Sequence, residues 1–174
     1  MRSTGIVRRM DELGRVVIPK ELRRTMRIKE GEEIEVIQKD DTLILKKYSA
    51  VSEMLDFQAE YASSIYRTTG YTAIITDTDK IVAISGDLLK RAIGSPIDER
   101  LQEIIELRRT EILKDREIKP FFEVGCEGVK GQVIVPIMVR GDIMGAVILY
   151  SKKEPNDTLV KTAETGAHFL GLRL

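Results

Sequence analysis

Three residue types are scarce in this 174-residue chain, which has one cysteine, one histidine and no tryptophan. Cys126 alone cannot form an intramolecular disulfide, and Cys126 with His168 cannot supply the ligands of a structural zinc site. No charge-free run exceeds nine residues, whereas a membrane-spanning helix needs about 20. The N-terminus also lacks the apolar segment of an export signal. We therefore expect a cytoplasmic protein without disulfide, metal or cofactor.

The formal net charge of the chain is zero, because 28 Lys and Arg residues balance 28 Asp and Glu residues. Neutrality disfavours a nucleic-acid partner, since phosphate binding needs an excess of basic residues on the contacting surface. The charges are unevenly distributed, however. Residues 1–29 hold nine basic and three acidic residues, a net charge of +6, whereas residues 30–47 and 48–174 each carry −3. A basic end joined to a different module is typical of nucleic-acid-binding proteins.

Short β-branched runs separated by turn residues dominate residues 1–50. They predict two hairpins around a helix of about two turns that begins near Pro19. The four predicted strands are Gly5–Val7, Val16–Ile18, Ile34–Ile37 and Thr42–Leu45. A single helix excludes a helix-turn-helix motif. A module of this size buries too little surface to be stable alone without disulfides or metal, so we expect an obligate homodimer of interleaved hairpins.

This module contains a near-continuous motif in four segments, Thr4–Arg9, Asp11–Pro19, Glu21–Thr25 and Ile44–Tyr48. The motif resembles that of the AbrB family of transition-state regulators. The resemblance implies a dimeric swapped-hairpin fold whose arginines bind double-stranded DNA. Lys20 departs from the family pattern, which has an apolar residue there, and completes the predicted DNA-binding set. That set is Arg8, Arg9, Arg15, Lys20, Arg23 and Arg24.

Residues 51–174 have a different pattern, which predicts a helix, two strands, a helix, three strands and a final helix. This order indicates an antiparallel sheet with helices packed on it, so the fold class of the whole chain is α+β. The predicted elements are a helix from Ala50 to Thr69, strands Tyr71–Thr76 and Ile81–Ser85, a helix capped by Ser95 that extends to Ile112, strands Phe121–Val124, Gln132–Val139 and Ile143–Ser151, and a helix capped by Asn156 or Asp157.

The first of these helices has an apolar stripe from Val51 to Tyr66 that is wider than one buried face requires. We expect the excess surface to contact another chain. Together with the terminal helix, this surface would join two dimers into a homotetramer.

The last predicted hairpin contains the segments Val135–Ile137, Gly141–Ile143 and Gly145–Leu149. These segments resemble the last hairpin of a GAF domain, a small-molecule-sensing fold. A cyclic nucleotide is disfavoured as the ligand, because the family pattern needs a set of Asn, Lys, Phe, Asp and Glu, and the only asparagine here, Asn156, lies outside the predicted sheet. An AbrB-like head on a GAF-like domain resembles regulators of late spore development. That resemblance implies a non-enzymatic transcription factor that activates and represses sporulation genes.

Two other functions are compatible with parts of the chain. The swapped-hairpin fold also occurs in antitoxins that repress their own genes, but their toxin-wrapping tails are short and disordered, whereas this tail is long and patterned. GAF-type redox enzymes reduce methionine sulfoxide through cysteines that resolve as a disulfide. Cys126 has no such resolving partner in this sequence.

Overall fold

The chain divides into two compact units, Met1–Tyr48 and Ser49–Leu174, which we call the N-terminal unit and the C-terminal unit. No helix among the described residues is both long and apolar enough to cross a membrane. The computed structural model describes residues 5–53, 55–86, 92–118 and 128–174.

The N-terminal unit contains one helix and one hairpin. Helix α1 spans Lys20–Thr25, strand β1 spans Ile34–Lys39 and strand β2 spans Thr42–Lys47. The strands pair antiparallel from Ile34 opposite Lys47 to Lys39 opposite Thr42. Asp40 makes the connecting turn with a φ of 51°, a conformation that Asp tolerates better than most residues. The helix and the second hairpin are therefore confirmed.

The first predicted hairpin is absent from the single chain. The structure describes residues 5–18 and assigns no strand to Gly5–Val7 or Val16–Ile18. The connecting turn is present, because the Asp11 backbone N–H donates to the Arg15 carbonyl at 3.0 Å. The strand prediction is therefore wrong for one chain alone: β-branched runs mark residues that suit a sheet, but a ladder also needs a partner strand.

Burial in the N-terminal unit is slight. Among its described residues, Pro19 alone is buried. The clearest example of uncovered apolar surface is one face of the β1–β2 hairpin, where Val36, Leu43 and Leu45 are 61%, 64% and 41% exposed. In this single chain, the unit therefore lacks a hydrophobic core of its own.

The described residues of the C-terminal unit form four α-helices and a five-stranded sheet. Its strands are ordered β4-β3-β7-β6-β5, and every neighbouring pair is antiparallel. In chain order the elements are α2 (Ala50–Glu53), α3 (Leu55–Thr69), β3 (Thr72–Thr76), β4 (Ile81–Ser85), α4 (Glu99–Glu106), β5 (Glu111–Lys114), β6 (Gly131–Val139), β7 (Asp142–Ser151) and α5 (Asp157–Arg173).

Each face of this sheet carries its own core. On one face, Ile75, Val133 and Leu149 pack with residues of α3 and α5 such as Ala62 and Ala163. The opposite face buries a second cluster beneath α4, which includes Ile74, Ile97, Leu101, Ile134 and Ile148. Because both faces are covered, the central strands are apolar on both sides. The predicted antiparallel sheet with packed helices is confirmed.

Two features of the predicted middle helix are wrong. The helix begins after Asp98, whose carboxylate accepts from the Leu101 backbone N–H at 2.8 Å, and not after Ser95. The Ser95 carbonyl instead accepts from the Ile81 backbone N–H at 3.0 Å, so this segment is extended. The helix also ends at Glu106, and the following residues pair with β6 as strand β5.

The remaining elements agree with the sequence pattern where the structure describes them. Asn156 caps α5 by accepting from the Leu159 backbone N–H at 2.8 Å. Pro136 lies in β6 beyond the last residue paired with β5, and a register shift follows it between Ile137 and Met138. Its missing N–H therefore costs little. The predicted strand Phe121–Val124 lies outside the described residues.

Much of the wide apolar stripe at the start of the C-terminal unit packs against other elements of that unit. Val51, Ala62 and Ile65 are buried in the core. Tyr61 stacks on Phe169 of α5 with ring centroids 5.4 Å apart. The stripe is therefore wide chiefly because it packs on both the sheet and α5, and it is weaker evidence for a second chain than the sequence indicated.

Candidate nucleic-acid interface and sensor face

The six predicted DNA-binding residues lie in two segments of the N-terminal unit, and all are exposed. One segment is the turn region, which contains Arg8, Arg9 and Arg15. The other is helix α1, which contains Lys20, Arg23 and Arg24.

Helix α1 presents its basic residues together. Lys20, Arg23 and Arg24 are spaced i, i+3 and i+4, so they lie on one face of the helix. Pro19 precedes the first helical residue, with φ −55° and ψ 145°, and its fixed φ favours a helix start here. Among the described residues, none of the three basic side chains forms an ion pair. The guanidinium groups are therefore available for phosphate oxygens or guanine edges.

The turn segment is organised by Asp11. Its carboxylate accepts from the backbone N–H groups of Leu13 at 3.0 Å and Arg15 at 2.7 Å. It also accepts from the Arg15 Nε at 2.7 Å. The Arg15 backbone N–H, and next its side chain, lower the pKa of Asp11 from its ordinary value. Arg15 thus makes a surface ion pair, but its side chain remains 71% exposed.

The C-terminal unit has a row of buried polar residues on the α4 side of its sheet. Tyr150 of β7 lies opposite Thr72 of β3 and opposite Gln132 of β6. The Gln132 Nε2 donates to the Tyr150 hydroxyl at 3.1 Å, whereas the Gln132 Oε1 has no partner. A buried polar atom without a partner costs about 1–3 kcal/mol. The sequence pattern did not predict this row, although Gln132 is the only polar residue in the run Gln132–Val139.

The remaining candidate functional residues are possible metal ligands, His168 and Cys126. No group of three or more His, Cys, Asp or Glu side chains in the described part of the chain could hold a metal ion. His168 is exposed on α5. Cys126 lies outside the described residues.

Two family descriptions match adjoining parts of the chain. "Stage V sporulation protein T C-terminal, transcription factor" matches residues 53–174. "Antidote-toxin recognition MazE, bacterial antitoxin" matches residues 7–52.

Similar proteins cover the same two regions. Stage V sporulation protein T of Bacillus subtilis is 39% identical over 176 aligned residues, which cover 100% of this chain and 99% of that protein. The transition state regulatory protein AbrB of the same organism is 62% identical over 48 residues, 28% of this chain and 50% of that protein. A GAF domain of a membrane protein from Geobacter sulfurreducens has a similar fold, with a TM-score of 0.54, 15% identity and coverage of 70% of this chain and 93% of that one.

Together, the basic N-terminal unit and the sheet architecture of the C-terminal unit define a two-part transcriptional regulator, with an AbrB-type module followed by a GAF-like domain. This class agrees with the resemblances read from the sequence. Full-length identity and the C-terminal family match then identify the particular family. The chain belongs to the stage V sporulation protein T family of transcription factors.

Proposed function

We propose that this protein is a cytoplasmic, non-enzymatic regulator that binds double-stranded DNA as a homodimer and both activates and represses sporulation genes. Its N-terminal units bind the DNA through Arg8, Arg9, Arg15, Lys20, Arg23 and Arg24. The C-terminal unit mediates further assembly and senses a small molecule. The observation that carries this proposal is the set of six exposed basic side chains in a unit with almost no core of its own.

Dimerisation follows from the burial pattern. Domains of this size need a partner, a metal or disulfides to be stable. The exposed apolar face of Val36, Leu43 and Leu45 would be covered by a second chain. A symmetric dimer doubles the basic surface and suits a DNA site with two half-sites.

A tetramer would need a second interface on the C-terminal unit. A groove of about 580 Å³ follows the outer surface of α3. It is lined by Ala59, Glu60, Ser63, Ser64, Arg67 and Thr68. Small residues with one charge of each sign would suit packing against the same helix of another copy. The mass of the full chain in solution tests this part: twice the dimer mass supports it, and a dimer at high concentration refutes it.

The DNA interface can be tested by changing Arg23 and Arg24 to Ala in the full chain. Because their charges would displace counterions from phosphates, we expect the affinity for an operator-containing duplex to fall at least about tenfold, with a shallower salt dependence. Binding is measured by fluorescence anisotropy at several salt concentrations.

A matched control removes two positive charges from exposed positions of the C-terminal unit outside α3 and α5, through Lys130→Ala with Lys153→Ala. This double variant is expected to bind DNA as the wild type does. Equal losses in both double variants would mean that total charge, rather than the face of α1, determines binding.

An antitoxin is the second candidate, because the MazE description matches residues 7–52. The folded C-terminal unit argues against it, since a tail that wraps a toxin is extended before binding. Co-purification of the full chain with a small toxin would favour this alternative.

The redox alternative depends on Cys126. It would be supported only if the full chain reduced methionine sulfoxide and if Cys126→Ser abolished that activity.

A further inference from the structure

Helix α1 ends in a Schellman motif, in which two backbone hydrogen bonds close the last turn. The Arg27 backbone N–H donates to the Arg24 carbonyl at 3.1 Å, and the Ile28 backbone N–H donates to the Arg23 carbonyl at 2.8 Å. Arg27 follows the C-cap residue Met26 and has a φ of 52°. This position of the motif is usually glycine, because a side chain disfavours the left-handed backbone. An arginine is therefore not the residue that the backbone favours here.

The closure of α1 does not need the side chain of Arg27. The carbonyls of Arg23 and Arg24 already accept from backbone N–H groups. The positive charge that stabilises the C-terminal end of a helix is supplied by the same two arginines in the last turn. Glycine at position 27 would make the same backbone hydrogen bonds without the conformational cost. The geometry of the helix end therefore does not account for an arginine.

Positive φ by itself does not mark a functional arginine in this chain. Arg108 and Arg140 have φ values of 56° and 50°. Arg108 has a structural use, because its Nη1 donates to the Gly141 carbonyl at 2.9 Å. Arg140 and Gly141 form the two-residue turn between β6 and β7, and such turns favour positive φ at both positions. The place of Arg27 in the fold must therefore distinguish it.

Arg27 lies at the end of the proposed DNA-binding helix. It is exposed, and the two backbone hydrogen bonds hold it within one turn of Arg23 and Arg24. Residues 20–27 hold four basic residues and one acidic residue, Glu21. Each cation added to a surface that meets DNA displaces a counterion from a phosphate and so adds affinity. Arg27 has the charge, the exposure and the position to do this.

The position of Arg27 favours phosphate over a base edge. Base edges are read by side chains on an element that enters a groove. Arg27 lies beyond the last helical residue, Thr25, where the left-handed backbone turns the chain out of the helix. Its guanidinium is therefore better placed for the phosphates that border a groove than for the bases within it. Contacts of this kind position a protein on DNA without reading its sequence.

We propose that Arg27 is a further DNA-binding residue, whose guanidinium binds a backbone phosphate at the edge of the groove that Arg23 and Arg24 contact. The inference rests on the proposed DNA-binding role of α1. It adds to that role a contact that strengthens binding equally on any base sequence.

Arg27→Gly tests the proposal in the full chain. Fluorescence anisotropy at several salt concentrations compares two duplexes, one selected by the wild type from a random pool and one with the same bases in scrambled order. We expect binding to both duplexes to weaken by the same factor, at least about tenfold at low salt. Because a homodimer has two copies of Arg27, the slope of log affinity against log salt should become shallower by about 1.8.

Arg140→Gly is the matched control, because it makes the same exchange at an exposed residue of nearly equal φ in the C-terminal unit. Its affinity for both duplexes should equal that of the wild type. Arg27→Lys keeps the charge and should retain the salt dependence of the wild type. The melting temperature and the solution mass of Arg27→Gly should not fall, because glycine suits this backbone.

Four results would overturn the proposal. They are unchanged DNA binding by Arg27→Gly, an equal loss in Arg140→Gly, a loss confined to the selected duplex, which would indicate a base contact, and a lower melting temperature or mass of Arg27→Gly, which would indicate a structural role. The Arg23→Ala with Arg24→Ala variant is measured in parallel. Unchanged binding by that double variant would contradict the proposed interface on α1, whereas its loss without an effect of Arg27→Gly would contradict only the assignment of Arg27.

Discussion

The two units of this chain differ in how they are held together. The C-terminal unit buries both faces of its sheet, with a separate cluster of hydrophobic side chains on each. The N-terminal unit has a single buried residue, Pro19, among those described. The C-terminal unit can therefore be stable as a monomer. The stability of the N-terminal unit should depend on protein concentration, because association with a second chain buries its exposed apolar surface.

The largest effect is expected from Leu43→Asp in the N-terminal unit. Leu43 is 64% exposed in one chain, so a monomeric unit would tolerate the change within about 0.5 kcal/mol. In a dimer that covers this face, an unpaired carboxylate would be buried, and both dimerisation and DNA binding should be lost. Sedimentation at several concentrations measures the change.

Thr42→Asp is the control for this prediction, because Thr42 is exposed and its side chain points to the opposite face of the hairpin. Dimerisation of this variant should match that of the wild type. If Leu43→Asp also remained dimeric, the contrast between the two units would have to be explained without a second chain.

In the C-terminal unit, Leu101→Ala should lower the free energy of unfolding by about 2–5 kcal/mol, the usual cost of a cavity in a packed core. Leu101 is 0% exposed, whereas Leu107 at the end of the same helix is 52% exposed. Leu107→Ala should therefore change stability by less than about 0.5 kcal/mol. Urea unfolding at two protein concentrations is the measurement, and a concentration-dependent midpoint would count against an independently stable unit.

The start of α4 gives a smaller, local test. Asp98→Ala removes the cap that accepts from the Leu101 N–H and should cost about 1 kcal/mol. Ser95→Ala should cost less, because Ser95 contributes its backbone carbonyl to the Ile81 N–H bond. Thermal unfolding of the two variants compares them, and the reverse order would restore Ser95 as the cap.

The smallest effect concerns Asp11 in the N-terminal unit. Since Arg15 lowers the pKa of this carboxyl below the ordinary value of 3.8, the interactions that hold the turn persist above that value. They are lost as the pH falls through the lowered pKa of the folded state. An NMR titration should place the Asp11 midpoint below 3.8, and Arg15→Ala should move it upward because the side-chain contribution is removed. A midpoint unaffected by the substitution would show that the backbone N–H bonds alone determine it.

Local residue chemistry made a large part of the fold predictable. The β1–β2 hairpin follows from two β-branched runs around Asp40, and the cap of α5 follows from Asn156, because turns and caps depend on a few neighbouring residues. The charge of +6 in residues 1–29 predicts that DNA binds there, and this location stays a prediction. The AbrB and GAF resemblances depend equally on short runs of sequence, and they identified the class of protein.

Contacts between distant residues decided the rest. Ile112 fits an amphipathic helix by spacing, yet it lies in β5 because Val133 of β6 is available to pair with it. Ser95 has the chemistry of a cap, but its backbone pairs with Ile81. Gln132 is flanked in the sheet by Leu113 of β5 and Tyr150 of β7, and this pairing does not follow from its local sequence. Sequence pattern records what a segment favours locally, whereas only the tertiary structure shows which partners each segment finds.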